Sequence, residues 1–185
     1  MLEGQSADQN ATDIADPASR EAVGQLRLRA PVAADGPSVT RLIADCPPLD
    51  TNSAYCNLLQ CSDFADTSIL AERDGDLLGW ISGYRPPSAP DTLFIWQVAV
   101  SAKARGMGLA GQMLDTLVKR PGLADATALT TTITADNAAS WALFEAFARR
   151  HGATLTRALR FERDEHFGGA HDTEWEARIA PLPTA

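Results

Sequence analysis

Apolar positions along this chain fall into short runs and helical stripes. Leu93 to Val100 (LFIWQVAV) is a run with aromatic and β-branched residues, long enough for a buried strand and too short for an ordinary helix. From Leu109 the apolar positions Met113, Leu114, Leu117 and Val118 recur at helical spacing, with Lys119 and Arg120 expected in the last turn before Pro121-Gly122. Upstream, Gln25 to Ala30 alternates polar and apolar as a half-buried strand does, and Asp35-Gly36-Pro37-Ser38 opens a helix with Val39, Leu42 and Ile43 on one face. After Pro47-Pro48, one of Asp50, Thr51 or Asn52 is expected to cap a short helix with Tyr55, Leu58 and Leu59 on one side. Thr67 to Arg73 and Asp76 to Arg85 flank Asp74-Gly75 and predict a β-hairpin. Beyond the central helix, Ala128 to Thr134 predicts a strand, and Asp136 or Asn137 the cap of a helix running to Arg150. Ala153 to Glu162 and Thr173 to Ile179 predict two last strands joined by a loop over 164–172.

The resulting order, β-α-α-β-β-β-α-β-α-β-β, predicts an α/β fold with a mixed sheet of about seven strands and four helices. Residues 1–24 are polar and aperiodic, which predicts a mobile N-terminal tail ahead of a single domain over 25–185. Composition agrees with a globular chain, at 45% hydrophobic and 22% charged residues. A net charge of -8, with lysine only at Lys103 and Lys119, argues against a nucleic-acid partner because no basic stripe could track phosphates. Neither a signal-like start nor a membrane-length apolar run is present, so the expectation is a soluble cytoplasmic protein that engages no membrane. Cys46, Cys56 and Cys61 match no zinc or redox spacing and read as free thiols, and with three scattered histidines no metal site is expected.

Candidate chemistry begins where the apolar strand breaks into Ala104-Arg105-Gly106-Met107-Gly108-Leu109-Ala110. A strand feeding a helix through two glycines aims the first free backbone N–H groups of the helix at one point, with the positive end of its dipole behind them, and that point is an anion site. Gly106 and Gly108 permit unusual dihedrals, Ala110 leaves room for an approaching ligand, and Arg105 adds a cation to the rim. A pyrophosphate fits better than a single carboxylate. The spacing excludes a Walker loop, but Gly106, Gly108 and Gly111 formally match GxGxxG, so a dinucleotide oxidoreductase is a rival reading. Against it, the strand lies late in the chain and the next strand, near Thr127 to Thr134, brings no acidic residue for a ribose.

Arg105 to Ala110 also resembles the R/Q-x-x-G-x-G/A signature of the GNAT acyltransferases, and Asn137 to Phe144 (NAASWALF) resembles that family's second coenzyme motif, N-x-x-A/S-x-x-L-Y/F. The element order is similar to the GNAT fold over about residues 25–180. The resemblance implies that acetyl-CoA is the cosubstrate, held by Arg105, Gly106, Met107, Gly108, Ala110, Asn137 and Phe144, with backbone groups of Val98 and Val100 pairing the pantetheine arm. Pro47 to Leu59 (PPLDTNSAYCNLL), the strand Phe94 to Val100 and the late His171-Asp172-Thr173-Glu174 resemble the diaminobutyrate acetyltransferases of ectoine biosynthesis. That resemblance implies direct acetyl transfer to the γ-amine of L-2,4-diaminobutyrate, and homodimer formation.

A small zwitterion with a second ammonium suits carboxylates at Asp50 and Glu174, hydrogen bonds from Asn52 and Tyr55, and a wall at Trp96. Glu174 or His171 is the candidate base. Many relatives place a tyrosine acid where this chain has Phe144, which cannot donate a proton, so either Tyr55 is the acid or solvent protonates the thiolate. Equally simple readings remain for single residues: Asp50 as a helix cap, Tyr55 and Trp96 as core aromatics, His166 and His171 as exposed loop residues. A GNAT enzyme acting on another small amine, an acyl-CoA-binding module without turnover and an acyl-enzyme at Cys56 or Cys61 are the further alternatives.

Overall fold

The computed structural model describes residues 24–182; the expected tail, apart from Gly24, lies outside the described residues. One seven-stranded sheet runs in the order β1-β2-β3-β4-β5-β7-β6. Its strands are β1 (Arg27–Arg29), β2 (Ile69–Arg73), β3 (Asp76–Tyr84), β4 (Thr92–Val100), β5 (Ala128–Thr134), β6 (Thr154–Phe161) and β7 (Glu174–Ala180). All neighbours are antiparallel except β4 and β5. Asp74 and Gly75 both adopt positive φ, 53° and 82°, the pairing that lets a two-residue turn follow the twist of the β2–β3 hairpin.

Helices α1 (Gly36–Ala44) and α2 (Ala54–Ser62) cover one face of the sheet, where Val39, Leu42 and Ile43 pack with Leu70, Trp80 and Ala99. Helices α3 (Leu109–Leu117) and α4 (Ala138–Arg150) cover the other, where Met113, Leu114, Leu117, Phe144 and Phe147 join Leu93, Ile95, Leu129, Ala177 and Ile179 in the larger core cluster. Alternation along β4, β5 and β7 sorts the remaining side chains. Phe94, Thr130, Thr132, Thr134, Glu174 and Glu176 therefore lie on the α1–α2 face.

Several expectations are corrected. The cap of α2 is Ser53, whose hydroxyl accepts from the Cys56 N–H at 3.0 Å, and not Asp50, Thr51 or Asn52. The buried side of α2 is Asn57, Gln60 and Cys61, while Tyr55 and Leu58 are exposed, because a buried polar network replaces the expected apolar stripe. Arg120 lies beyond the α3 cap at Val118, and its guanidinium donates to the carbonyls of Ser68 and Ala65. Part of the expected 164–172 loop is a fifth, short helix, α5 (Arg163–Phe167), closed by Gly168 at φ 57°.

Candidate active site

Strands β4 and β5 pair only over Thr92–Ile95 and Ala128–Thr131, after which the ladder stops although both strands continue, β4 to Val100 and β5 to Thr134. On its other edge β4 stays paired with β3. The Ser101 N–H donates to Leu78 at 2.9 Å, which places Val100 and, two residues back, Val98 at non-hydrogen-bonded positions of the β3–β4 ladder. Their backbone groups point away from β3 and into the opening. The Val100 carbonyl is occupied by Arg105 Nε at 3.2 Å and by the Cys46 thiol at 3.4 Å.

The glycine turn closes the wide end of this opening. Gly106 and Gly108 sit at φ 76° and 72°, and a Cβ at either would meet nothing within 4 Å, so the backbone conformation demands glycine and the space beside it is free. Gly108 caps α3; the first helical bond runs from Gln112 to Gly108, leaving the N–H groups of Leu109, Ala110 and Gly111 for an anion. Arg105 and Met107 are exposed on the same turn. Gly111 has a different duty: its missing Cβ admits the Arg150 guanidinium, 3.2 Å from where that atom would stand. The third glycine of the formal GxGxxG match is thus used in helix packing.

Because β4 and β5 are parallel, α3 and α4 both begin at the same end of the sheet, and the N-termini of two helices flank the opening. Asn137 caps α4, its Oδ1 accepting from the Ser140 N–H at 3.1 Å, and its side chain is exposed. Phe144 is buried in the core at 2% exposure. Its ring is covered by the core, in contrast to the expected place among the coenzyme residues.

On the α1–α2 face, beside the narrow end of the opening, lie Trp96 and the loop that carries Asp50 and Asn52. A register shift against β3 leaves Trp96 unmatched as a β-bulge residue, which turns its indole outward to 45% exposure, edge-on to Tyr84 with ring centroids 6.1 Å apart. The next residue, Gln97, is buried and donates to the Asp50 carbonyl at 2.6 Å while accepting from the Asn52 amide at 3.2 Å. Asn52 holds a positive φ of 54°, with its N–H bonded to the Asp50 carboxylate at 3.2 Å. Asn57, fully buried, binds Asn52, the Thr51 carbonyl and Thr40. The Asn52 amide is thereby engaged within the loop, whereas the Asp50 and Tyr55 side chains stay exposed. The sequence reading missed Gln97 and Asn57; a glutamine inside an apolar strand was the available signal.

Glu174 opens β7 opposite Thr134, and its Oε2 is buried without a hydrogen-bond partner. Burial pushes its carboxyl above the usual range, against smaller opposing effects of the Thr132 hydroxyl and His171. His171 is exposed, its ring 5.2 Å from that of Phe167. His151 instead caps α4, its Nε2 2.8 Å from Asp115. Burial raises the Cys56 thiol and pushes the Cys61 thiol up to about 11, which disfavours the thiolate an acyl-enzyme needs. Among the described residues no group of three His, Cys, Asp or Glu is placed to hold a metal ion.

Residues 37–148 match the acetyltransferase (GNAT) family model. The chain is 48% identical over 157 residues to an L-2,4-diaminobutyric acid acetyltransferase of Methylotuvimicrobium alcaliphilum, covering 85% of this chain and 91% of the relative. It is 50% identical over 152 residues to the enzyme of that name from Vibrio parahaemolyticus, covering 82% and 84%. Among solved structures, the diaminobutyrate acetyltransferase of Paenibacillus lautus in complex with L-2,4-diaminobutyric acid and coenzyme A superposes with a TM-score of 0.82 at 35% identity, over 88% of this chain and 98% of that one. A ribosomal-protein-S18-alanine N-acetyltransferase from Escherichia coli, at 15% identity and TM-score 0.66, shares the fold. An opened β4–β5 pair closed by a glycine turn, and relatives of this identity and coverage, agree: the chain belongs to the GNAT family of acetyltransferases and, within it, to the L-2,4-diaminobutyric acid acetyltransferases.

Proposed function

We propose that this protein transfers the acetyl group of acetyl-CoA to the γ-amino group of L-2,4-diaminobutyrate, by direct attack within a ternary complex, in the cytoplasm and on the route to ectoine. The observation that carries the reading is the opening of β4 from β5, with Trp96 exposed at its narrow end, the Asp50 loop held beside it by Gln97, and the buried Glu174 carboxyl on the same face of the sheet. The pyrophosphate of acetyl-CoA lies on Arg105 to Ala110, and the pantetheine arm follows the free edge of β4 as an added strand. A backbone N–H of β4 near Val98 faces the developing oxyanion. Glu174, held protonatable by burial, accepts the proton of the attacking amine with His171 alongside; Tyr55 supplies a proton to the thiolate, since Phe144 cannot.

Incubating the protein with acetyl-CoA and L-2,4-diaminobutyrate, following free thiol and locating the acetyl group by NMR, tests this directly. Acetyl on the γ-nitrogen supports it. Equal use of putrescine would replace it with a broader amine acetyltransferase, and coenzyme binding without thiol release with a sensing module.

A further inference from the structure

The candidate residues drawn from sequence offer carboxylates to both ammonium groups of the acceptor and no cation to its carboxylate. The structure supplies one. Arg160 is the unmatched residue of a second bulge, between the Leu159–Trp175 and Phe161–Glu174 pairs of β6 and β7. Its guanidinium crosses the α1–α2 face, pairs with Glu176, and stands 5.3 Å from the Phe94 ring centroid, on a strand two places beyond β7 in the sheet. Phe94 in turn lies 5.1 Å from Tyr84, whose ring meets Trp96. The Arg160 side chain is 32% exposed and that of Glu176 28%, so the pair is neither a loose surface contact nor sealed in the core. Of the guanidinium nitrogens, Nη1 bonds Glu176. The fork retains further donors for a planar anion.

We propose that Arg160 and Glu176 together anchor the α-amino-acid end of the acceptor, Arg160 taking its carboxylate and Glu176 its α-ammonium. Glu176 and Glu174 are alternate residues of one strand, about 7 Å apart along the same face. The acceptor's two nitrogens are separated by four bonds, roughly 5 Å. An α-ammonium at Glu176 therefore delivers the γ-nitrogen to Glu174, at the end of the row nearer the opening. The same placement explains why a pocket for a doubly cationic amine carries an arginine: it selects against diamines that lack the carboxylate, which leave the outer donors of the guanidinium without an anion.

This inference rests on the function proposed above, and one kinetic experiment separates the two. Wild type, Arg160→Met and Arg160→Lys are compared with L-2,4-diaminobutyrate and with propane-1,3-diamine, its analogue without the carboxylate, at saturating acetyl-CoA. In Arg160→Met the KM for diaminobutyrate is expected to rise at least tenfold, with kcat/KM for propane-1,3-diamine and the KM for acetyl-CoA unchanged; Arg160→Lys recovers part of the loss. An active wild type whose preference is unmoved in both variants, or variants that lose both amines equally, would overturn the anchor alone. A wild type that releases no thiol with diaminobutyrate would overturn both.

Discussion

Glu174 combines two properties that rarely coexist without a use: a buried carboxylate oxygen lacking a partner and a proton affinity raised by burial. Glu174→Gln is expected to lower kcat by about 10²–10⁴-fold with a much smaller change in the KM for acetyl-CoA, measured by thiol release. The same residue sets a pH dependence of stability. With its pKa raised on folding, the native state holds the proton over a window just above the ordinary carboxylate range where the unfolded chain has lost it, so stability falls as pH climbs through that window. Melting curves of wild type and Glu174→Gln should coincide at pH 4 and separate by pH 7, with the variant higher; a constant offset at both would contradict the assignment. Glu174, Asp50, Tyr55 and Trp96 could be nominated as candidates from the sequence. Arg160 could not, because its meaning depends on which face β6 presents at a bulge, and a bulge shifts the alternation without marking itself in residue type; Gln97 was marked only as a glutamine in an apolar strand.

At the level of elements, the strand, the glycine turn and the start of the helix at Leu109 carried a signal the structure repeats within a residue, since the run of apolar residues and the left-handed glycines each have one structural use, whereas the helix stops three residues short of the expected Arg120. Gly108→Ala tests the turn. The φ of 72° costs a Cβ-bearing residue about 1 kcal/mol and rotates the α3 N–H groups off their common point, so a Tm lower by several degrees should accompany about a tenfold rise in the KM for acetyl-CoA with the KM for diaminobutyrate nearly unchanged. Helix α2 was misread for a physical reason. Its buried side serves the polar loop, with Asn57 and Gln60 inside, and hydrophobic periodicity is blind to a helix that packs through amides. Helix α5 escaped for its shortness, five residues between two strands.

For the whole molecule, β6 closes one side of the sheet as an edge strand, with Leu159 48% and Phe161 38% exposed. An edge of that kind invites a partner, and the homodimer that the resemblance implies, proposed here to form through this edge, would cover it. Light scattering should give twice the chain mass for wild type and a single-chain mass for Leu159→Lys; a monomeric wild type would remove the dimer expectation, and a variant that stays dimeric would place the interface elsewhere.

The sheet itself is unfinished at its centre, where β4 runs on to Val100 without a neighbour on one side. Trp96 and Gln97, which flank the proposed amine pocket, belong to that same half-paired stretch. Whatever completes the seam therefore stiffens the pocket, and by reciprocity the two substrates help each other bind. Calorimetry should find diaminobutyrate binding weakly to the free protein and several-fold more tightly when coenzyme A is present. In kinetic terms the enzyme would load its acyl donor first, and a starved acetyl-CoA pool would silence it twice, by withholding the acetyl group and by leaving the amine nowhere firm to dock.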